Sequence, residues 1–209
     1  MNSPVNRDDI FYDNYLDACS KLNELEQFRD YVSVFIAEEE QRMRDLHVDV
    51  EIGFAPLFAE TFPPILHSSI IITTIILIEM ELKGYCEALR TVKNLQIGHN
   101  DLNGGLLERF RKYVGQVAGI EISAAKLNWD DINGVFEIRN ALVHNAGALC
   151  NFSKAHIIRS FESRHGTPVC SQERIKITPE TSKVTLDVAS HFIEGIYDAM
   201  GATIRSKYG

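Results

Sequence analysis

An arginine, an asparagine and a histidine share the eleven-residue segment Glu137–Gly147, which reads EIRNALVHNAG. Arg139 keeps its charge and donates from a planar fork, which suits a phosphate or a carboxylate. His144 can take up or release a proton near neutral pH. Asn140 adds a carboxamide that can hold either a ligand or the imidazole. These residue types together are suited to proton transfer beside a bound anion.

A helix through this segment separates the three side chains around its axis. At about 100° per residue, Asn140 and His144 share a face, whereas Arg139 and His144 lie about 140° apart. Arg139 and His144 therefore meet at one ligand only if Arg139 reaches around, the helix distorts, or a second copy of the chain completes the site. The simpler interpretation is an amphipathic helix with a polar end, in which Gly147 lies just beyond the last turn.

The composition is that of a globular chain without a metal-binding motif. The 209 residues are 45% hydrophobic and 24% charged, which excludes global disorder. The four cysteines form no CxxC pair, which gives no support to zinc or thioredoxin chemistry, and no residues have the spacing of metal ligands; we therefore expect neither a metal nor a cofactor. The N-terminus carries no apolar signal segment, which predicts a cytoplasmic location. The net charge of −8 disfavours a broad nucleic-acid surface but is compatible with a small cationic site.

Helical periodicity predicts the elements that position the motif. Apolar residues spaced by three or four predict a long helix over 13–46 and a closing helix over Val188–Ile204. Ile65–Lys93 is the most apolar segment, and its run to Ile78 is shorter than the about 20 residues of a membrane span. We therefore predict a central helix that is buried on nearly all sides and makes no membrane contact. A membrane-associated helical protein is the alternative that this segment leaves open.

Glu79 is the unusual residue of that apolar segment. A carboxylate in such surroundings is costly unless it is paired. Either the helix emerges into water at this point, or Glu79 faces Arg139 or His144 and orients them. Both interpretations are open from the residues alone.

A further helix, predicted over Leu106–Val117, carries the basic residues Arg109, Arg111 and Lys112. A solvated helix face is the simpler explanation of these charges, and contact with RNA is the alternative.

Turn and cap signals predict the remaining elements. Val48–Ile52 alternates between apolar and polar residues and predicts a short strand or an extended link. Asp130 or Asp131 can cap the N-terminus of the motif helix. Ile175–Ile177 and Lys183–Leu186 flank a proline-containing turn and predict a small β-hairpin.

The order of these features resembles the HEPN superfamily of small α-helical proteins. The resemblance covers roughly Ile65–Ile204 and rests on the segments IEMELKGYC, RKYVGQVAG and NWDDINGVFEIRNALVHNAG. The family motif is an arginine, usually followed by a polar residue, and then a histidine a few residues later. Arg139 and Asn140 match it, with four residues between Arg139 and His144. The arrangement looks like that of stand-alone bacterial HEPN proteins found among toxins and phage-defence systems.

The resemblance implies an all-α fold, an HEPN-like up-down bundle of four to five main helices with a small C-terminal β-hairpin. One domain would span residues 1–209, with a long N-terminal helix over 13–46. The core with the motif would cover 65–147, and the hairpin and closing helix would cover 148–209. It also implies a homodimer in which the motif helices of two copies face each other and supply arginine and histidine to one shared cleft.

Many HEPN proteins are metal-independent endoribonucleases, so the resemblance implies RNA cleavage through attack of the 2′-hydroxyl. The catalytic residues would be Arg139, Asn140, His144 and Glu79. The RNA-binding residues would be Arg109, Arg111, Lys112 and Asn145. A toxin–antitoxin or phage-defence role would add an antitoxin or a defence partner protein. Other members have lost cleavage, and the alternative is an inactive dimer that binds a nucleotide or a protein.

Overall fold

The computed structural model describes residues 7–45, 57–120, 122, 127–171 and 173–208. Within this part the chain is mostly helical, with one two-stranded antiparallel sheet, and the all-α class is confirmed. The α-helices of the described residues are α1 (Arg7–Asp45), α2 (Phe62–Lys93), α3 (Leu106–Lys112), α4 (Trp129–Asn145), α5 (Ala155–His165) and α6 (Pro179–Tyr208). The strands of the same residues are β1 (Cys170–Ser171) and β2 (Arg174–Ile175).

The three long helices predicted from periodicity are confirmed, and each begins earlier in the chain than predicted. Helix α2 begins at Phe62, with Pro63 and Pro64 in its first turn, where the missing N–H of a proline costs little. Helix α3 continues beyond Lys112 as a π-helical turn over Tyr113–Val117. The strand or link predicted over Val48–Ile52 lies outside the described residues.

The predicted hairpin is wrong in its second strand. Lys183–Leu186 lies inside α6, and β2 pairs instead with β1, which precedes it. Helix α6 begins early because the hydroxyl of Thr178 accepts a hydrogen bond from the backbone N–H of Thr181 at 3.2 Å. Pro179 fits the first turn of the helix that follows this cap. Pro179 therefore marks the start of a capped helix and not a turn between two strands.

Two further expectations differ from the structure. The polar segment after Gly147 contains α5, which periodicity missed because few of its side chains are apolar; Ile158 and Phe161 are its buried ones. Asp130 and Asp131 lie inside the first turn of α4 and not in front of it, so neither occupies the N-cap position.

The chain divides into two compact units, so the single domain over residues 1–209 stays a prediction. The first unit comprises Met1–Leu22, Ile76–Asn133 and Val188–Gly209. The second unit comprises Asn23–Ile75 and Gly134–Asp187 and contains the motif. Each has its own fully buried side chains. In the first unit these include Leu82, Tyr85, Phe110, Tyr113 and Ile196, and in the second Ile71, Ile75, Val135, Ile138 and Phe161.

Gly134 allows α5 to approach α4 closely within the second unit. A Cβ atom at this position would lie 2.6 Å from Cδ2 of Phe161, whose ring is fully buried. Because a packed interior has no spare room, any side chain here would displace that ring. The glycine thus fixes α5 against α4 a few residues before the motif.

Helix α2 is long and apolar enough to cross a membrane by length and composition. Its most apolar 18-residue window has a mean hydropathy of 1.8, and 44% of that window is buried. Absence of membrane contact therefore stays a prediction. Ile76 and Met80 are exposed on α2, so the single chain does not bury this helix on nearly all sides, and its burial in an oligomer interface stays a prediction.

His67 is a buried imidazole of the second unit, only 2% exposed, and its Nδ1 lies 2.9 Å from Oγ of Ser182. The hydroxyl of Ser182 donates to the carbonyl of Pro179 at 2.8 Å. The imidazole therefore donates its N–H to Ser182, which fixes the tautomer. Burial first, and the charge of Arg29 second, lower the pKa of His67 below its ordinary value.

This histidine should make the second unit sensitive to acid. An unfolded histidine binds a proton near pH 6.5, whereas the lowered pKa of folded His67 makes it bind the proton less readily, so protonation favours unfolding. We expect the free energy of unfolding to fall below about pH 6.5, with up to about 1.4 kcal/mol per pH unit from this residue. Urea titrations should show a weaker pH dependence for His67→Gln and an unchanged one for His156→Gln at an exposed position. Equal pH dependence in His67→Gln and the wild type would contradict this explanation.

Candidate functional site

The motif lies on the last two turns of α4, and its orientation is set by the buried face of that helix. Val135, Ile138 and Ala141 are fully buried in the second unit. Arg139 and its neighbour Asn140 are half-buried on the flank. Packing of the apolar face therefore decides which motif side chains reach solvent.

His144 is exposed in the last turn of α4, as is Val143 beside it. It follows Asn140 by one turn, so these two side chains share a face. A cation in this position is stabilised by the helix dipole whether or not it takes part in chemistry. The imidazole is thus accessible to a ligand from solvent.

A hydrogen-bonded network connects Arg139 to a buried carboxylate. Nη1 of Arg139 donates to Oδ1 of Asn140 at 3.1 Å. Nδ2 of Asn140 donates in turn to Oε2 of Glu137 at 3.3 Å. Nζ of Lys154 donates to the other carboxylate oxygen of Glu137 at 2.6 Å. The four residues therefore form one chain of alternating donors and acceptors.

This network permits one orientation of the Asn140 amide. Its oxygen must face the guanidinium of Arg139, which has only donors, and its nitrogen must face the carboxylate of Glu137, which accepts. If the amide were rotated by 180°, its N–H groups would face the donors of Arg139 and its oxygen would face the carboxylate of Glu137. Asn140 therefore connects the charge of Arg139 to the anchored carboxylate.

Glu137 is the anchor of the network because it is almost removed from water. The residue is 3% exposed, and both of its oxygens are bonded by partners within the second unit. A buried carboxylate is costly unless it is hydrogen-bonded and paired with a cation. Lys154 supplies that cation from the segment between α4 and α5, and its own side chain is 53% exposed.

The chain turns sharply after the motif, and β2 holds the turn. Ala146 has φ 49° and Gly147 has φ 77°, and the N–H of Gly147 donates to the carbonyl of Ala141 at 2.9 Å. Gly147 thus lies beyond the helix end as predicted, although the left-handed conformation already begins at Ala146. The guanidinium of Arg174 donates to the Ala146 carbonyl at 2.9 Å, and the N–H of Ile175 donates to the Gly147 carbonyl at 2.8 Å.

The predicted role of Glu79 in orienting Arg139 or His144 stays a prediction. Glu79 is half-buried on the part of α2 that belongs to the first unit. The buried carboxylate of that stretch is Glu81, which is 8% exposed and lies 3.9 Å from Nζ of Lys21. Burial raises the pKa of Glu81, and the charge of Lys21 opposes that shift.

The four predicted RNA-binding residues have different surroundings. Arg111 is exposed on α3, whereas Lys112 donates to Glu108 at 2.6 Å and to a loop carbonyl at 3.1 Å. Arg109 is half-buried and donates to Asn100 at 3.3 Å. Asn145, in the second unit, is half-buried at the end of α4. The three cations of α3 therefore do not form one solvated face, and their contact with RNA stays a prediction.

Three residues of the site were missed from the sequence: Glu137, Lys154 and Arg174. Glu137 could have been found, because a residue three positions before Asn140 on a helix is its neighbour. The other two come from the segment before α5 and from β2, and their positions follow only from the tertiary fold. Within the described residues, no three His, Cys, Asp or Glu side chains come together as a metal site requires.

Removal of the Lys154 ammonium should destabilise the second unit. In Lys154→Met, the buried carboxylate of Glu137 loses its cation and keeps only the amide of Asn140. We expect the free energy of unfolding to fall by about 1–2 kcal/mol, less than for a fully buried pair because Lys154 is half-exposed. Lys112→Met, which removes the exposed pair with Glu108, is the matched control and should leave stability unchanged. Equal effects of the two variants in urea unfolding would contradict the anchoring role of Glu137.

Comparison with known proteins adds no family assignment. No protein-family model matches the chain, and no curated protein or solved structure matches it. The function proposed below therefore rests on the side chains of the second unit and on the resemblance stated from the sequence.

Proposed function

We propose that this chain is a metal-independent endoribonuclease of the HEPN type, built as an HEPN-like helical bundle. The observation that carries the proposal is the network from Glu137 through Asn140 to Arg139, one turn from an exposed histidine on the same helix. It joins an oriented anion-binding group to an accessible proton carrier. The resemblance of the motif to the HEPN pattern supports the same chemistry.

Arg139 would bind the scissile phosphate. A guanidinium stays charged at any physiological pH and can donate to two phosphate oxygens at once. Asn140 restrains its direction, and the buried carboxylate of Glu137 restrains Asn140. A donor held in place before the substrate arrives can stabilise the charge that develops on the phosphorane.

His144 would transfer the protons of the reaction. The 2′-hydroxyl loses its proton and forms a bond to the adjacent phosphorus, while the bond from phosphorus to the 5′-oxygen breaks and that oxygen gains a proton. An imidazole can take up the first proton or deliver the second near neutral pH. The products would be a 2′,3′-cyclic phosphate and a 5′-hydroxyl.

A second copy of the chain would complete the site. Arg139 and His144 are five positions apart on α4 and therefore point in directions about 140° apart. If two motif helices face each other in a symmetric dimer, the arginine of one copy can meet the histidine of the other. The proposed homodimer thus resolves a separation that one helix cannot close without distortion.

The proposed biological setting follows from the same resemblance. Stand-alone HEPN proteins of this kind belong to toxin–antitoxin and phage-defence systems. We therefore propose a cytoplasmic nuclease whose activity an antitoxin or a defence partner protein controls. Glu79, Arg109, Arg111, Lys112 and Asn145 remain candidates for contacts with the motif or with RNA.

The proposal predicts cleavage that needs His144 and no metal ion. Purified protein should cut total RNA or tRNA in the presence of EDTA and leave 2′,3′-cyclic phosphate ends. His144→Ala should lower the rate by at least about 100-fold, the typical contribution of a general acid or base. His156→Ala, which removes an exposed histidine of the same unit, should cut RNA at the wild-type rate.

The outcome separates the nuclease from an inactive binding module. Thermal unfolding of each variant establishes that the loss of cleavage is not a loss of fold. Cleavage that His144→Ala retains, or that EDTA abolishes, would contradict the proposed mechanism. Absence of cleavage by all proteins across several RNAs would instead favour an HEPN-like dimer that binds a nucleotide or a protein.

A further inference from the structure

The first unit contains a group of buried polar atoms that lack hydrogen-bond partners. His99 is 4% exposed, and neither of its ring nitrogens is hydrogen-bonded to a described residue. Tyr113 is fully buried, and its hydroxyl likewise has no partner within the described part of the chain. The two rings meet edge to face, with centroids 6.4 Å apart. Such groups are rare in folded proteins because each one gives up its hydrogen bonds to water.

Arg109 adds a charged donor to this group. Its Nη1 donates to the exposed Asn100 at 3.3 Å, whereas its Nε is buried and has no hydrogen-bond partner among the described residues. No described carboxylate forms an ion pair with this guanidinium. Its charge acts on the buried imidazole of His99, where it adds to the effect of burial and lowers the pKa. Arg109, which the sequence placed on a basic face, therefore has an Nε that is removed from solvent.

The neighbouring groups limit the kind of ligand that fits. Glu87 lies 3.8 Å from Nδ1 of His99, too far for a hydrogen bond, so Nε2 is the ring nitrogen on the side away from the carboxylate. Burial raises the pKa of the Cys86 thiol to about 12, and the charge of Arg109 opposes that shift. This thiol is therefore neutral and supplies no anionic charge. A cation would face the guanidinium of Arg109, whereas an anion would pair with it.

We propose that His99, Arg109 and Tyr113 bind a hydrogen phosphate group. The negatively charged phosphate oxygens accept hydrogen bonds from Nε of Arg109 and from the hydroxyl of Tyr113. A neutral imidazole has one ring nitrogen that accepts, and the protonated oxygen of hydrogen phosphate can donate to it. Sulfate has no such proton at neutral pH, so phosphate should bind more tightly than sulfate.

This site is separate from the Arg139–His144 motif that would carry out the proposed cleavage, although Arg109 is also one of the predicted RNA contacts. His99 lies between α2 and α3, Arg109 lies on α3, and Tyr113 begins the π-helical turn after α3, all in the first unit, whereas the motif belongs to the second unit. If the phosphate site is disproved, the proposed ribonuclease function is unaffected, and the reverse also holds. The free phosphate ion and a phosphomonoester share the required chemistry, and titrations with inorganic phosphate and with a nucleoside monophosphate distinguish them.

The test is nuclear magnetic resonance of the Nε–H group of Arg109 during titration of the full chain with inorganic phosphate. We expect a saturable shift of this signal and a response at least about tenfold weaker with sulfate. Tyr113→Phe should weaken phosphate binding about ten- to 100-fold, because a hydrogen bond to a charged group is lost. Arg109→Lys keeps the charge but removes Nε–H, and it should weaken binding at least about tenfold. Arg159→Lys, at an exposed position of α5 outside every proposed site, is the matched control and should bind as the wild type does.

Three results would overturn the site. An Nε–H signal that exchanges with water and does not respond to phosphate would show that a water molecule alone satisfies the group. Equal binding of sulfate would remove the role of the His99 acceptor. An equal loss in Arg159→Lys and Arg109→Lys would indicate attraction by surface charge. The wild-type titration and Tyr113→Phe keep the test decisive if Arg109→Lys does not fold.

Discussion

The pairing of the buried Glu137 carboxylate with Lys154 and Asn140 is the interaction on which the candidate site depends. One carboxylate oxygen binds the ammonium at 2.6 Å and the other binds the carboxamide at 3.3 Å. A carboxylate at 3% exposure is costly without such partners, so the fold must bring the segment before α5 against α4. The close packing of Phe161 on Gly134 brings α5 against the same helix.

The consequence is a division of tasks along one helix. Arg139 is restrained through Asn140, whereas His144 is exposed at the helix end, immediately before a turn held by Arg174. An anion-binding group benefits from a fixed direction, since no reorganisation is then needed when charge develops. A group that carries protons needs access to the substrate and to water. The proposed second copy unites the two functions, which face apart on a single helix.

The sequence specified the parts of this arrangement that depend on local periodicity. The long helices follow from the spacing of apolar residues. The angle of about 140° between Arg139 and His144 around the helix axis follows from their separation by five positions. The ion pair that anchors the network could be predicted only in part. Glu137 is a helical neighbour of Asn140, but Lys154 contacts Glu137 from a different segment of the chain. The acidic pair on α2 shows the same limit, because sequence drew attention to Glu79, whereas the nearly buried carboxylate is Glu81. The burial of each carboxylate depends on which face of α2 the other helices cover, and the sequence of α2 alone does not determine that face.

The most direct measurement mixes two inactive variants, Arg139→Ala and His144→Ala, and assays RNA cleavage in EDTA. A mixed dimer would hold one site that lacks both residues and one site that retains both. With random exchange of subunits, the mixture should recover up to about a quarter of wild-type activity, while each variant alone stays inactive. Mixed dimers that form, as shown by co-purification of two different tags, but recover no cleavage would contradict a site shared between two copies.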